Sequence, residues 1–327
     1  MDYADRGKLR IVYGDVTIGV HGEDFHLIFS YQTGGLESMV KSGKEWLYRT
    51  PKPTFWRATT DNDRGNGFPF RSGMWLAADM FQKCVDVQVQ IDGIRIEKPI
   101  APVNNKYSDK ETAERVEIVF TYETLTVPST QVKVSYLVFS DGNVRVRAHY
   151  YGKEGLPELP AFGIRFIIPT EADGFVYEGL SGETYPDRKA GGVHAIYEVE
   201  GLPVTPYLVP QECGMHVDTE WVKVKRSKVL DNRKRHMEQS ELTFRAGNEI
   251  SHSKFAFSCL PYTSEELENA THQEELPLAR RTVLCIYGAV RGVGGIDSWG
   301  SDVEPAYHVP ADEDIEYGFV IRRGQDV

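Results

Sequence analysis

Short segments that alternate apolar and polar residues recur along most of the chain, and this period of two constrains the fold more than any other feature. Such a segment fits a β-strand that has one face against a core and the other in water. Val116–Tyr122, Gln131–Phe139 and Val144–Tyr150 follow one another with short polar connections and predict an antiparallel meander. Because helical segments do not separate the strands, we expect an all-β fold built from large antiparallel sheets.

Two segments have the residue pattern of a helix. Ser72–Lys83 contains good helix formers behind a serine that could cap it, and Thr263–Thr271 begins with a capping box made by Thr263 and Glu266. We therefore expect one or two short helices. The chain contains no internal repeat, low-complexity tract or clear linker, so a single domain over residues 1–327 is predicted.

Charge and composition exclude several classes of protein. The 37 Lys and Arg against 48 Asp and Glu give a net charge of −11, which disfavours nucleic acids and anionic membranes as partners. No run approaches the roughly 20 apolar residues that span a bilayer, and the first residues do not resemble a signal peptide, so we expect a cytoplasmic protein. The four cysteines are far apart and are interpreted as reduced thiols, not as a zinc site: Cys84, Cys213, Cys259 and Cys285.

A glycine cluster over Gly288–Gly295 precedes the segment Ile296–Ser301. A phosphate-binding loop needs a helix directly after it, and this continuation is irregular, so a nucleotide site is excluded. The glycines instead allow the backbone to bend and to present Trp299 at a loop tip. An indole there is either tucked under the loop or offered to a ligand, and the residues by themselves favour the buried position.

A second polar cluster covers Arg57–Gly67. Its arginines and aspartates could form a charge-satisfied scaffold, because Asp and Asn readily bond nearby backbone amides in turns. Contact with a sugar or a partner protein is the alternative. Calcium is disfavoured, since Asp61 and Asp63 are followed by Gly65 at the position where an EF-hand loop places a third ligand.

The sequence contains no acyl-transfer motif of the G-x-S-x-G type. Three acidic residues, Glu183, Asp187 and Glu212, lie in motif-like surroundings. A glycosidase needs two carboxylates at a fixed separation, which a sequence does not display.

Four segments stand out, in order along the chain: Phe55-Trp56-Arg57-Ala58-Thr59-Thr60-Asp61-Asn62-Asp63-Arg64-Gly65, Tyr185-Pro186-Asp187-Arg188, Pro210-Gln211-Glu212-Cys213-Gly214 and Gly294-Gly295-Ile296-Asp297-Ser298-Trp299. They resemble, respectively, the R-A-P-x-D-N-D, Y-P-D-R, P-Q-E-x-G and G-G-x-D-S-W motifs of the C-terminal domain of glycoside hydrolase family 2 β-galactosidases. The chain is similar to the separate small subunit of the two-chain members of that family. This sequence departs from the family at Thr59, where proline is usual, and at His216, where arginine is common. The segment before Tyr185 also lacks the family's G-P-x-E-N-Y form and is a residue shorter.

The resemblance implies a β-supersandwich, similar to galactose mutarotase, that packs beside a catalytic barrel supplied by a large subunit. In that family both catalytic glutamates and the magnesium and sodium sites lie in the barrel. We therefore expect no catalytic residue, metal or cofactor in this chain. The resemblance assigns Trp299, with Asp297 and Ser298, to the sugar pocket, and reverses the preference for a buried indole.

The resemblance also implies two supporting features. The segment Gly65–Met74 falls where related enzymes carry a loop that closes over the substrate. The remaining motif residues are expected to form structural loops around the pocket: Arg57, Asp61, Asn62, Asp63, Gly65, Tyr185, Asp187, Arg188 and Glu212.

The favoured function is thus the small subunit of a retaining β-galactosidase that hydrolyses lactose and other β-D-galactosides. One alternative is a free-standing aldose 1-epimerase, because that enzyme shares the supersandwich. It requires a histidine and a carboxylate around the sugar ring, and no matching histidine motif is present. The other alternative is a carbohydrate-binding module, which would bind sugar without a partner.

Overall fold

The computed structural model describes residues 7–106, 111–230, 236–247 and 254–323. Within them the chain is mainly β-strand, as the alternating pattern predicts. The strands are β1 Leu9–Tyr13, β2 Thr17–His21, β3 Phe25–Ser30, β4 Gly35–Lys41, β5 Lys44–Glu45, β6 Arg49–Thr54, β7 Gln82–Ile91, β8 Ile94–Ile96, β9 Thr112–Ala113, β10 Arg115–Thr124, β11 Gln131–Phe139, β12 Val144–Tyr150, β13 Ala161–Ile168, β14 Gly174–Leu180, β15 His194–Glu200, β16 Met215–Thr219, β17 Trp221–Lys228, β18 His236–Ala246, β19 Phe255–Leu260, β20 Thr282–Val290 and β21 Ile315–Arg323.

These strands form three sheets, and neighbouring strands in each sheet are antiparallel. The strand orders are β5-β4-β3-β2-β1-β9, then β15-β14-β17-β18-β21-β12-β11-β10-β7-β8, and β16-β19-β20-β13-β6. The predicted meander is β10, β11 and β12 of the second sheet. The all-β prediction is confirmed.

Four short α-helices lie among the described residues: α1 Asp61–Gly65, α2 Phe68–Ser72, α3 Met74–Met80 and α4 Ser264–Asn269. The expectation of one or two helices is therefore wrong. The capping box of α4 is present as predicted. Ser72 does not cap α3, because its hydroxyl donates to the carbonyl oxygen of Glu158 at 2.9 Å. Helices α1 and α2 contain five residues each, too few for a sequence period to appear.

One large core takes side chains from all three sheets. Phe29 of the first sheet meets Tyr136 of the second with ring centroids 5.6 Å apart. Phe166 of the third sheet meets Phe244 of the second at 5.1 Å. This shared core supports the single domain that the sequence predicts, and the domain count remains a prediction.

The cysteines are free thiols, and Cys259 and Cys285 are buried in neighbouring strands β19 and β20. This confirms their interpretation as small apolar residues. No described helix is long and apolar enough to cross a membrane.

The third sheet brings two of the sequence motifs together. Strands β6 and β20 lie on either side of β13 and are both antiparallel to it. They are therefore parallel to each other, and their carboxyl ends lie at the same end of the sheet. The first motif follows the end of β6 at Thr54, and the fourth follows the end of β20 at Val290. Residues separated by more than 200 positions in the sequence thus meet at one end of the sheet.

Candidate functional site

The first motif is organised by a buried ion pair. Arg57 donates from Nη1 to Oδ2 of Asp63 at 2.6 Å and from Nη2 to Oδ1 at 3.2 Å, and both side chains are almost fully buried. Asp63 also accepts from the backbone amide of Thr60 at 2.9 Å, which completes a capping box at the start of α1. Burial acts to raise the pKa of Asp63, but the Arg57 guanidinium and the Thr60 bonds outweigh it and lower that pKa. The predicted charge-satisfied scaffold is therefore present: Asp63 lies on helix α1, and Arg57 lies in the segment that precedes this helix.

A second buried arginine, Arg291, extends this ion pair toward the fourth motif. Its guanidinium donates to Asp63 at 3.1 Å, to Glu158 at 3.0 Å and to Asp302. The ring of Phe68, from α2, lies 4.1 Å from its guanidinium carbon. None of the four sequence motifs contains this residue. The available clue is an arginine inside a run of glycines, where a charge needs partners from elsewhere in the chain.

The start of the Trp299 loop, which we define as residues 294–302, is held by the first and second motifs. The carboxylate of Asp187 accepts from the backbone amides of Val293 at 3.0 Å and Gly294 at 2.8 Å. Asn62 donates to the carbonyl oxygen of Val293 at 3.1 Å, and Arg188 donates to that of Gly294. Two motifs predicted to be structural thus fix the loop's entry.

The backbone of the Trp299 loop depends on its glycines. Gly294, Gly295 and Gly300 have φ values of 71°, 80° and 83°, in the left-handed region that favours glycine. A Cβ atom on Gly300 would lie 2.9 Å from the carbonyl oxygen of Gly65, so the end of α1 packs directly on the loop. This contact gives Gly65 of the first motif a structural role.

The tip of the loop is ordered from within by Asp297. Its carboxylate accepts from the backbone amides of Trp299 at 2.9 Å and Ser301 at 3.2 Å, and from the Ser301 hydroxyl. The Ser301 hydroxyl bond is the main cause of a lowered pKa for Asp297. Ser298 is exposed at the tip. These contacts give Asp297 a loop-shaping role, and its contact with substrate remains a prediction, as does that of Ser298.

Trp299 itself is 91% exposed, so the interpretation that buries it under the loop is wrong. The other four tryptophans are at most 2% exposed: Trp46, Trp56, Trp75 and Trp221. The chain therefore presents one indole to solvent, on a loop whose entry and tip are both fixed by hydrogen bonds.

The third motif joins the first at helix α1. The backbone amide of Asp61 donates to Gln211 at 2.9 Å, and the Gln211 amide returns a bond to the Asp61 carboxylate at 3.3 Å. In the second motif the backbones of Tyr185 and Arg188 bond each other, and the Tyr185 hydroxyl donates to Glu183 at 3.1 Å. All four motifs are thus part of one continuous hydrogen-bonded site.

Two of the departures from the family pattern, Thr59 and His216, lie in surroundings that the structure defines. The backbone amide of Thr59 donates to Glu268 of α4 at 2.6 Å, and its hydroxyl donates to the same carboxylate at 2.8 Å. A proline at this position would have no amide to donate. His216 is buried, with its ring 4.8 Å from that of Phe257, and burial lowers its pKa to about 4, so it is neutral at pH 7.

The segment Gly65–Met74, expected as a closing loop, consists of the end of α1, helix α2 and the start of α3. Two of its side chains were not singled out from the sequence. Phe70 is almost fully exposed, and Arg71 bonds Asp302 of the Trp299 loop at 2.7 Å. The segment is therefore mainly helical, and Arg71 bonds it to the Trp299 loop.

The described residues contain no group of three or more His, Cys, Asp or Glu side chains placed to hold a metal ion. The carboxylates of Asp63, Asp187, Asp297 and Asp302 instead accept bonds from backbone amides, hydroxyl groups and arginines. That this chain lacks catalytic residues and cofactors stays a prediction.

Glu212, in the third motif, gives a prediction about pH. Burial raises its pKa to about 8, with Arg57 acting to lower it and Glu183 to raise it. Because the folded pKa lies above the unfolded value, its contribution to stability is complete below about pH 4.5 and is lost as the pH rises through 8. We compare the free energy of unfolding of Glu212→Gln with that of the wild type at each pH. We expect this difference to grow in favour of Glu212→Gln, by roughly 1 to 3 kcal/mol, as the pH rises from 5 to 8.5.

Urea unfolding of both proteins at several pH values measures this difference. The contributions of titrating groups that both proteins share cancel when the two free energies are subtracted. Glu304→Gln, at an exposed glutamate, is the control and should give a difference independent of pH. A Glu212→Gln difference that does not change with pH would show that Glu212 is ionised in the folded protein at pH 5.

Comparison with known proteins places this chain in one family. The family model described as "Beta galactosidase small chain" matches residues 21–321. The β-galactosidase small subunit of Latilactobacillus sakei is 60% identical over 314 residues, which cover 96% of this chain and 98% of that protein. A β-galactosidase of Halalkalibacterium halodurans is 37% identical over 324 residues, which cover 97% of this chain but 28% of that protein.

Among solved structures, a putative aldose 1-epimerase of Escherichia coli K12 aligns with 95% of this chain and 98% of its own, at 10% identity and a TM-score of 0.45. The sequence relatives are β-galactosidases and favour that activity over the epimerase alternative. The all-β chain with its four joined motifs is thus a glycoside hydrolase subunit. It belongs to the β-galactosidase small chain family.

Proposed function

We propose that this chain completes the sugar pocket of a retaining β-galactosidase that hydrolyses lactose and other β-D-galactosides. The observation that carries the proposal is the exposed indole of Trp299 on a loop held at both ends by hydrogen bonds and ion pairs. A fixed indole offers a flat apolar surface that the C–H face of a pyranose can cover. Polar groups that hold the sugar hydroxyls would then come from the partner.

The proposed partner is a large catalytic subunit. The relative from Latilactobacillus sakei is named a small subunit, and this chain spans 28% of the length of the β-galactosidases of Halalkalibacterium halodurans and Streptococcus thermophilus. The large subunit would supply the remainder, including the two catalytic glutamates and the magnesium and sodium sites. Within the proposal this chain contributes no catalytic carboxylate.

Hydrolysis of a chromogenic β-galactoside by the purified chain, with and without its large subunit, tests the proposal. We expect no turnover by this chain by itself, because no acid and nucleophile pair belongs to it, and we expect turnover once the two are mixed. Appreciable hydrolysis by the isolated chain, after removal of host enzyme, would refute the proposed division of labour.

A stable complex is a separate prediction. Three large apolar side chains, Phe70, Leu208 and Leu278, are each at least 85% exposed, and a partner that covered them would remove apolar area from water. Obligate interfaces commonly bury more than about 2,000 Å². Co-expressed subunits should therefore elute together from gel filtration after dilution, and separate elution of two chains would count against the partner.

A carbohydrate-binding module is the second candidate, and the same exposed indole favours it. One stacking surface contributes about 1 to 3 kcal/mol, less than the roughly 4 kcal/mol that a dissociation constant of 1 mM requires. Calorimetry of the isolated chain with lactose should therefore show no binding below the millimolar range. Micromolar binding without the large subunit would favour the module.

We also propose a cytoplasmic location. The four free thiols fit it, because the cytosol keeps cysteines reduced.

A further inference from the structure

The end of the Trp299 loop is held by a single carboxylate, that of Asp302. Its Oδ1 accepts from the backbone amide of Val303 at 2.8 Å, from the side chain of Asn66 at 3.2 Å and from Arg291. Its Oδ2 accepts from Nη2 of Arg71 at 2.7 Å. Asp302 lies three residues beyond Trp299, so this carboxylate fixes the backbone where the loop ends, while Asp297 orders the tip.

Arg71 contacts the loop from helix α2. While Nη2 bonds Asp302, Nη1 donates to the carbonyl oxygen of Asn66, at the end of α1. One guanidinium therefore joins the segment between α1 and α2 to the loop. A planar group with two donors fixes direction as well as distance, which the single ammonium of a lysine does not.

The two arginines at Asp302 differ in burial. Arg291 is fully buried and also bonds Asp63 and Glu158, so it belongs to the core of the site. The Arg71 side chain is 45% exposed, and that of Asp302 is 36% exposed. A half-exposed ion pair contributes little to folding, so the Arg71 bond has little effect on whether the chain folds. The Arg71 bond instead affects the position of the Trp299 loop.

We propose that Arg71 is a positioning residue for Trp299: by bridging Asn66 and Asp302 it holds the loop tip at the place where the indole meets the sugar. This inference rests on the proposed function of Trp299. It adds a residue outside the four sequence motifs to the determinants of galactoside binding, and it gives helix α2 a role in that binding.

The first test measures the mobility of the indole directly in the isolated full chain. Because the other four tryptophans are buried, the fluorescence that iodide quenches comes from Trp299, and its anisotropy decay reports local motion of the loop. Arg71→Gln should increase the amplitude of the fast decay, and Arg71→Lys should increase it less. The matched control is Arg147→Gln, since Arg147 is 43% exposed in an ion pair with Glu316 that joins strands β12 and β21 of the second sheet. The control should leave the decay unchanged.

The second test measures lactose kinetics after each variant is combined with the large subunit. Arg71→Gln should lower kcat/KM by about two- to fivefold, the range that a half-exposed charge pair can supply, mostly through a higher KM. Arg71→Lys should recover part of the loss, and Arg147→Gln should lose nothing. Thermal midpoints measured alongside should stay within a few degrees of the wild type.

A double variant separates this inference from the proposed function. If Arg71 acts through Trp299, Arg71→Gln should cause no further loss of kcat/KM in a Trp299→Ala background. An unchanged anisotropy decay in Arg71→Gln, or an undiminished loss in the double variant, would overturn the positioning role. If Trp299→Ala itself has full activity, the proposed function fails, and the anisotropy result still decides whether Arg71 holds the loop.

Discussion

Replacing Trp299 by alanine is expected to lower kcat/KM for lactose by about 5- to 150-fold in the reconstituted enzyme, because a stacking surface worth on the order of 1 to 3 kcal/mol is removed. The side chain is 91% exposed, so its loss leaves the core untouched. Folding and assembly with the large subunit should therefore be retained. Trp299→Phe should recover part of the activity, since a smaller ring keeps some of the surface.

Steady-state kinetics and the thermal midpoint, measured on the same preparations, check this prediction. The matched control is Phe70→Ala, which removes an equally exposed aromatic ring from the neighbouring helix α2. It should affect lactose kinetics less than Trp299→Ala does. Unchanged kinetics for Trp299→Ala, or a fall in stability that accounts for all lost activity, would contradict the sugar-binding role.

The largest expected effect on stability comes from Asp63. Its carboxylate bonds Arg57 and Arg291, both fully buried, so Asp63→Asn leaves two buried cations without their shared anion. Breaking a buried pair in this way costs about 3 to 5 kcal/mol, because the remaining charge cannot return to water. The thermal midpoint should fall by about 4 to 8 °C.

Asp61→Asn is the control, two residues earlier on the same helix. The Asp61 side chain is exposed in its ion pair with Arg64, so this change should alter stability by no more than about 0.5 kcal/mol. Differential scanning calorimetry of both variants gives the comparison. Equal midpoints for Asp63→Asn and Asp61→Asn would show that the buried network is not what holds the first motif.

The strands could be predicted because alternation is local: Val116–Tyr122 and Gln131–Phe139 each show their buried face within a few residues. Helices α1 and α2 could not be predicted from the sequence. Each is about one turn long, and isolated turns of helix are unstable. They form because Asp63 and Phe68 are fixed from outside the helices, by Arg57 and Arg291.

The sequence identified many residues of the site, but it did not show which of them contact one another. The order of the four motifs led to Arg57, Asp187 and Trp299, but no spacing pairs Asp63 with Arg291, 228 positions later. Only the parallel placement of β6 and β20 brings them together. The residues by themselves did not show that Trp299 is exposed, since the same glycines that let a loop project also let it fold over an indole. Only the resemblance to the family indicated an indole offered to a ligand.

The position of Trp299 within the assembled enzyme is the central claim, and fluorine NMR measures it most directly. Chain grown with 5-fluorotryptophan gives five resonances, and Trp299→Phe identifies the one from Trp299. We expect this resonance to shift when unlabelled large subunit is added, and to shift again with a thiogalactoside that the enzyme does not hydrolyse, while the four buried tryptophans change little. A Trp299 resonance that ignores the thiogalactoside in the active complex would contradict the claim that this chain completes the sugar pocket.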